Sequence, residues 1–528
     1  MPDWTYHPLR GFAAAVFGER RSQRAALRAL ATVGSLPGGG RLIARVLGHQ
    51  APAPRLAGSA AGVAVPVRLG ALVPPAVARD AIRALAPLGA GFVVVSPVRP
   101  QDVGTVREAA TGRRIPLLVH VPGPDAAAVA EALDVDAAVS DLHGFAVPDS
   151  PSITEAADAL ADPATPVLAT PPLLVAAGPG WFARVVEAAD IPAPSTPDPR
   201  RPSAWWWGLL VGLGMIGAGL GAAAITLGPV LLPYDRAFLG TGVDGLHAVN
   251  HHLVHFLQHD RITMAGTMLA IGVLYTGLAA GGMRRGAPAA REVYLVSGWV
   301  GFPTVFYLLG FGFLEPLHIA VTLVLLPLFL AATRRSHRPQ WTVRPEGPER
   351  ERRRALTGQL LLVLTGVGLA LGGVVISVVG LTGVFVPSDL DFLHTTPDAL
   401  TAARPRLLSF IAHDRAGFGG TLMSAGTGIA SLSAWCWRRG ESWVWWSTTS
   451  AAACGFLPAV AVHGSISYTD FLHLAPLYAG MVVTAVALVL ARPYLCARPG
   501  ACETVTFRRD AVIRRRTTSH SPRREWTS

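Results

Sequence analysis

Lysine is missing from this chain altogether: all 45 of its Lys+Arg positions among 528 residues are arginine. A Walker A phosphate loop, a pyridoxal Schiff base and a lysine general base each need that amine, so all three are excluded. Asparagine occurs only as Asn250, which rules out amide-rich ligand pockets nearly everywhere else. Charged residues are also scarce, at 15% against the roughly 25% of an ordinary soluble domain. With 51% hydrophobic residues and a mean hydropathy of +0.40, that scarcity argues against a purely soluble protein. The four cysteines, Cys436, Cys454, Cys496 and Cys502, have neither metal-type nor disulfide-framework spacing. The opening residues MPDWTYHPLRGF lack the charged start and apolar stretch of a signal peptide, so the first domain is expected in the cytoplasm. The formal charge of +11 comes from arginine runs beside apolar segments, a pattern of membrane topology rather than of nucleic-acid binding.

What is present divides into two unlike halves. From Val63 to about Asp190, β-branched runs such as FVVVSPV and PLLVHVPG alternate with Ala-rich amphipathic stretches such as PAVARDAIRALAPLG, predicting an α/β domain over residues 1–191. A basic amphipathic segment from Arg10 to Leu47 precedes this alternation and suits a membrane surface. Residues 192–203, rich in proline, form a linker that cannot continue a helix.

Beyond the linker lie eight apolar stretches, near 205–232, 262–282, 293–313, 316–333, 357–386, 416–437, 442–462 and 472–491. Each is long enough to cross a ~30 Å hydrocarbon core, so the expectation is an all-α polytopic domain. Arg200, Arg201, Arg284, Arg285, Arg334, Arg335, Arg338, Arg350 to Arg354, Arg438, Arg439 and the arginines of the tail all fall on one side of that arrangement. Short cytoplasmic loops carry such an excess, which predicts a multi-pass cell-membrane protein with both termini in the cytoplasm. Trp205 to Trp207, Trp443, Trp445 and Trp446 fall where an aromatic belt would lie on that side.

At an offset of 154 residues the membrane half resembles itself. Pro233, Asp235, Phe238 and Leu239 align with Pro387, Asp389, Phe392 and Leu393, and His259-Asp260-Arg261 aligns with His413-Asp414-Arg415. One inserted residue later, Glu315-Pro-Leu-His318 matches Asp470-Phe-Leu-His473. Two tandem four-span repeats are expected, 204–340 and 357–492, joined by a basic linker, 341–356, and followed by a basic tail, 493–528.

These recurring polar residues carry the chemistry. An acid three residues before a histidine shares a helical face with it, the spacing of a carboxylate and imidazole on one metal or one proton. Packing within each repeat would bring His259 to Glu315 and His318, and His413 to Asp470 and His473, with His463 enriching the second copy. These seven residues are the candidate metal ligands. Arg261 and Arg415, with Asp260 and Asp414, could instead recognise a lipid or anion, and the acids could simply cap helices. His251, His252 and His255 have no counterpart in the second copy and read as loop residues.

The stretch TYHPLRGFAAAVF, then RAALRALATVGSLPGGGRLIARVL and PRLAGSAAGVAVPVRLGALVPPAVARDAIRALAPLGAGFVVVSPVRPQ, resembles the start of quinone-linked dihydroorotate dehydrogenases, with an echo over residues 113–141. The resemblance implies a helical pair before a (β/α)₈ barrel, here shortened and TIM-barrel-like, because about 130 residues follow the pair where a barrel needs at least ~200. That family's flavin-contacting lysines and substrate-binding asparagines have no equivalents; its Ala-Gly-x-Asp-Lys segment is replaced by Gly70-Ala71-Leu72-Val73-Pro74. No FMN is therefore expected. The resulting expectation is a membrane protein with a catalytically degenerate cytoplasmic domain and an outward-facing polar site, acting in binding, transport or assembly. Its partners would be the lipid bilayer and a quinone, lipid or protein, with no nucleic acid. The alternative is a membrane redox enzyme, either quinone-linked or dependent on metal or haem.

Overall fold

The computed structural model describes residues 3–44, 54–123, 126–133, 135–189, 204–313, 315–333 and 347–498. The Pro-rich linker, Arg200, Arg201, Arg334, Arg335, Arg338, Cys502 and the tail beyond Arg498 lie outside the described residues.

A two-residue turn at Ala61-Gly62, both at positive φ, closes an antiparallel hairpin of β1 (Gly58–Ala60) and β2 (Val63–Val65). The strands β3 (Leu69–Val73), β4 (Phe92–Val95), β5 (Leu117–His120), β6 (Ala137–Val139) and β7 (Val167–Ala169) form one parallel sheet in the order β6-β5-β4-β3-β7. Alternate residues along a strand face opposite ways. Leu69, Ala71, Val73, Val93, Val95, Leu117 and Val119 pack into one core with the helices. Phe92, Val94, Leu118 and Leu168 turn the other way, onto Ala60 and Val65 of the hairpin and onto Leu142 and Phe145.

The helices of this region are α1 (Asp3–Phe17), α2 (Glu19–Ser35), α3 (Gly39–Ile43), α4 (Ala78–Leu85), α5 (Val103–Ala110), α6 (Ala126–Glu131), α7 (Ile153–Ala161), α8 (Pro171–Ala177) and α9 (Trp181–Ala189). Buried Arg68 ties β3 to the end of α7, donating to the carbonyls of Leu160 at 2.8 Å and Thr165 at 3.1 Å and to that of Asp162. A cation is stabilised there by the carbonyl-rich end of the helix.

The second half is helical: α10 (Ala204–Leu227), α11 (Pro233–Leu239), α12 (Val243–Val249), α13 (Leu253–Gly277, with irregular turns to Arg285), α14 (Pro288–Gly301), α15 (Leu308–Phe311), α16 (Pro316–Ala332), α17 (Glu349–Leu381), α18 (Pro387–Leu393), α19 (Pro397–Ala403), α20 (Leu407–Trp435), α21 (Ser442–Ser465) and α22 (Phe471–Leu495). Where eight spans were expected, four helical stretches among the described residues are long and apolar enough to cross a membrane: Ala204–Leu227, Leu253–Arg285, Glu349–Leu381 and Phe471–Leu495. The apolar α16 is shorter. The third expected span, 293–313, is not one helix. After Gly301 it tightens into a 3₁₀ turn, Phe302–Tyr307, where Pro303 can donate no backbone hydrogen bond. Both α20 and α21 have the length of a span but carry His413-Asp414-Arg415 and Ser442, Thr448, Thr449 and Ser450. The segment 341–356, expected to be a linker, turns helical at Glu349, so Arg350 to Arg354 extend α17.

Packing pairs α17 with α20 and α10 with α13, and it crosses the expected repeats by setting α13 against α21 and α14 against α20. Glycines permit the closest approaches. A Cβ on Gly212 of α10 would lie 2.7 Å from the Thr276 backbone nitrogen, and one on Gly366 of α17 would lie 2.4 Å from that of Ala430. The α/β region meets one end of this bundle. Asp3, 2% exposed, lies 2.5 Å from Arg352 of α17 and 3.3 Å from Arg184 of α9, and accepts from the Gly180 amide at 2.8 Å. Glu187 and Arg438 form a second bridge at 2.8 Å.

Candidate functional site

The site lies at the far end of the bundle from these bridges, where α13 and α20 begin. His259-Asp260-Arg261 and His413-Asp414-Arg415 are buried at equivalent places on the two helices. Adjacent residues on a helix point roughly 100° apart, so each triplet serves three directions at once.

The arginines and aspartates join the two helices reciprocally. Arg261 Nε lies 2.7 Å from Asp414 and Arg415 Nε lies 3.0 Å from Asp260. Arg261 also donates to the Val230 carbonyl at 2.7 Å, and Arg415 to that of Val384 at 2.8 Å. Val230 and Val384 sit at φ of 59° and 66°, a left-handed conformation that β-branched residues rarely adopt, and each is held there with its carbonyl on an arginine. Arg261 stacks over Phe410 and Arg415 over Phe256, at 5.0 and 4.9 Å. The symmetry breaks at the next carboxylate: Asp389 lies 2.5 Å from Arg415, but Asp235 stands 3.7 Å from Arg261. Burial raises the Asp235 carboxyl to about 6 despite that arginine. Arg261, Arg415, Asp260 and Asp414, candidates for lipid or anion recognition, thus bind one another.

The histidines turn away from these pairs into two clusters. In one, His259 of α13, His463 of α21 and His473 of α22 each bring a ring nitrogen to within 4.8 Å of the others. In the other, Glu315, His318 of α16 and His413 of α20 do the same. The expected partnerships are therefore exchanged: His259 meets His473 rather than Glu315 and His318, and His413 meets Glu315 and His318 rather than Asp470 and His473. The cause is the crossed packing, which sets α13 beside α21 and α20 beside α14 and the turn after it. Asp470 joins neither cluster. It is exposed, and its carboxylate caps α22 by accepting from the His473 amide at 2.7 Å.

Hydrogen bonds engage one ring nitrogen of His463 and one of His413. His463 Nδ1 donates to the Ala459 carbonyl at 2.6 Å, so its Nε2 is the lone-pair nitrogen, and it is buried without a hydrogen-bond partner. His413 Nδ1 is 3.1 Å from Asp414, again leaving Nε2 unpartnered and 3.9 Å from Glu315. A carboxylate or carbonyl behind an imidazole, with the other nitrogen free in front, is the usual support of a metal ligand. His259 Nδ1 lies 3.2 Å from Asp260.

Two tyrosines complete the clusters, and neither was assigned a role from sequence. The Tyr468 hydroxyl reaches Asp389 at 2.9 Å, Ser388 at 3.0 Å and His473 Nδ1 at 3.3 Å, while that of Tyr234 reaches Glu315 at 3.4 Å. Asp235 and Asp389 stood out as recurring identities at the 154-residue offset, which was the available signal. His251, His252 and His255 lie near the surface with His247 and His394, outside both clusters.

Each cluster opens onto a cavity among the helices. One of about 780 Å³ begins at His259, His463 and His473 and descends between α17, α20, α21 and α22; the other, of about 270 Å³, begins at Glu315 and His318. No protein family model, curated protein or solved structure matches this chain.

Proposed function

We propose that this chain is a multi-pass membrane protein that binds divalent transition-metal ions at two histidine-centred sites on the outer side, in a binding or transport role. The observation that carries this reading is that His463 and His413 each hold a buried Nε2 with no hydrogen-bond partner and each bring a ring nitrogen within 4.8 Å of two further ligand groups. An orphaned buried polar atom costs ~1–3 kcal/mol, which a metal bond removes. Three imidazoles, or two with a glutamate, are the donor sets of open zinc sites. In tetrahedral coordination at ~2.0–2.1 Å the ligand atoms would close to about 3.4 Å, a contraction that side-chain rotation supplies.

Support for eight spans comes from the lengths of α20 and α21 and from the shared position of Arg284, Arg285, Arg352 and Arg438 at the end that meets the α/β region. On this reading α14, the 3₁₀ turn and α15 cross together, and the α/β region and both termini are cytoplasmic. The reciprocal contacts of α13 and α20 support two tandem repeats. The strand order, consecutive with the last strand beside the first and all helices on one face, fits a shortened barrel and the resemblance to dihydroorotate dehydrogenases. This region would act as a docking module, with Leu9, Phe12, Val16 and Phe17 of α1 exposed for the bilayer surface.

A second reading is favoured at one cluster alone. Two histidines and one carboxylate with open positions suit ferrous iron, which would make the Glu315 site redox-active. Elemental analysis of the purified full chain tests both readings. About two metal equivalents per chain are expected, falling to one in His463→Ala and, independently, to one in His413→Ala. Iron at the second site alone would establish the redox reading, and a metal-free chain after loading would overturn metal binding.

A further inference from the structure

The two cavities occupy equivalent places in the two sequence copies but differ in size, and particular substitutions explain why. In the first copy Leu325 and Phe329 of α16 fill the space beside α10 and α14. A Cβ on Gly214 would lie 2.6 Å from Leu325, and one on Gly298 would lie 2.2 Å from Phe329, which is fully buried. At the 155-residue offset that matches Glu315 to Asp470, the positions of Leu325 and Phe329 carry Gly480 and Thr484. Both plugs are gone. Gly368, the counterpart of Gly214, has open space where Leu325 would press. The crevice of about 780 Å³ is the result.

Its shape and ends define an occupant. Lining residues on α17 run from Leu361 to Val379, ~27 Å at 1.5 Å per residue. That exceeds the ~15 Å depth of one leaflet of a ~30 Å hydrocarbon core, so an acyl chain from the outer leaflet would leave the lower part empty. Along this length the walls are apolar or small, with Gly368, Gly372, Ala451, Ala452 and Gly455 beside leucines and valines. At the outer end stand His259, His463 and His473. Three neutral imidazoles leave the two charges of a bound cation uncompensated, whereas Glu315 supplies an anionic ligand at the other cluster. Asp260 and Asp389 are both engaged with Arg415. The histidine cluster therefore suits an anionic oxygen as its remaining ligand.

We propose that the second-copy crevice binds a polyprenyl phosphate, its isoprenoid chain lying along α17 and its phosphate meeting the metal held by His259, His463 and His473. The assignment rests on the metal-binding reading for the headgroup, while the chain site stands on the missing plugs.

The test uses the full chain in phosphatidylcholine nanodiscs loaded with a polyprenyl phosphate or the matched polyprenol, with bound lipid and metal measured on the same samples. The phosphate should be retained near one per chain and the polyprenol at least about tenfold less, a difference of ~1.4 kcal/mol. Gly480→Leu with Thr484→Phe restores the first-copy plugs and should lower phosphate retention by at least about tenfold at unchanged metal content. The converse pair, Leu325→Gly with Phe329→Thr, should open a second crevice and raise chain retention even if the filled variant fails to fold. Equal retention of phosphate and alcohol, or displacement of both by phosphatidylcholine, would overturn the proposal. Retention unaffected by the plugs in a folded variant would do the same. Metal present with no lipid retained overturns this inference alone; polyprenyl phosphate retained by a metal-free chain overturns the metal reading and leaves the chain site standing.

Discussion

The reciprocal ion pairs make unequal demands on their aspartates. Replacing Asp414 with asparagine leaves Arg261, buried at 8% exposure, with Asp235 at 3.7 Å as its nearest carboxylate. Replacing Asp260 leaves Arg415 with Asp389 at 2.5 Å. Removing one partner of a buried pair costs ~3–5 kcal/mol when the other charge is left uncompensated. Losing one of two charged hydrogen bonds costs ~1.5–3 kcal/mol. Asp414→Asn should therefore destabilise the helical half by about 2 kcal/mol more than Asp260→Asn, although the two residues recur in register and are equally buried. Asp260→Asn combined with Asp389→Asn should close that gap, because Arg415 then loses both carboxylates. Denaturant unfolding in mild detergent at pH 7.5, followed by near-UV circular dichroism, measures the difference. This pH lies above the Asp235 carboxyl, which burial raises to about 6, so that group is ionised and gives Arg261 what help it can. Equal losses for the two single variants, or a larger loss for Asp260→Asn, would refute the reasoning.

How the sequence conveyed this structure differs between its levels. The parallel sheet was legible because strands such as FVVV are buried on both faces and read as continuous apolar runs between amphipathic helices. The 154-residue offset picked out His259, Asp260, Arg261 and their counterparts, all now at one end of the bundle. It did not reveal the exchange of partners, because periodicity says which face of a helix is apolar but not which helix covers it. That choice is made by glycine contacts across the repeats, such as Gly266 against Cys454 and Gly420 against Thr304, and by Arg261 reaching Asp414, relations between residues distant in sequence. Asp470 matched Glu315 by position and differed by reach. Its shorter side chain bonds the amide three residues on and stays at the surface, where the longer Glu315 turns inward to His318 and His413. The third expected span is interrupted rather than one helix, because hydropathy does not register what Pro303 does to a helix.

Two further predictions concern the opposite end. Reporter fusions after Arg285 and Arg439 should both report the cytoplasm, and an outward signal at either would break the proposed topology. The other prediction is that Asp3 holds the α/β region to α17. Burial opposes its ionisation, but Arg184, Arg352 and the Gly180 amide outweigh that effect and hold its carboxyl below the ordinary value of 3.8. A lowered carboxylate contributes stability that is complete above the unfolded value and is lost as pH falls through the folded one. The part of docking that Asp3 supplies should thus be constant from pH 7 to 5 and weaken only below about 4. Asp3→Asn should weaken docking at every pH, since Arg184 and Arg352 would lose their shared carboxylate at a cost of ~1.5–3 kcal/mol, Arg352 keeping Glu349 at 3.3 Å. Hydrogen exchange reads this directly: amides of α1 and of the first turns of α17 should lose protection in the variant, while the centre of the β3-β4-β5 sheet keeps it. Unchanged protection of α1 and α17 would mean that the remaining packing of α1 on α17 holds the joint without the charge. Loss across the sheet as well would mean that Asp3 supports the α/β fold itself rather than its attachment.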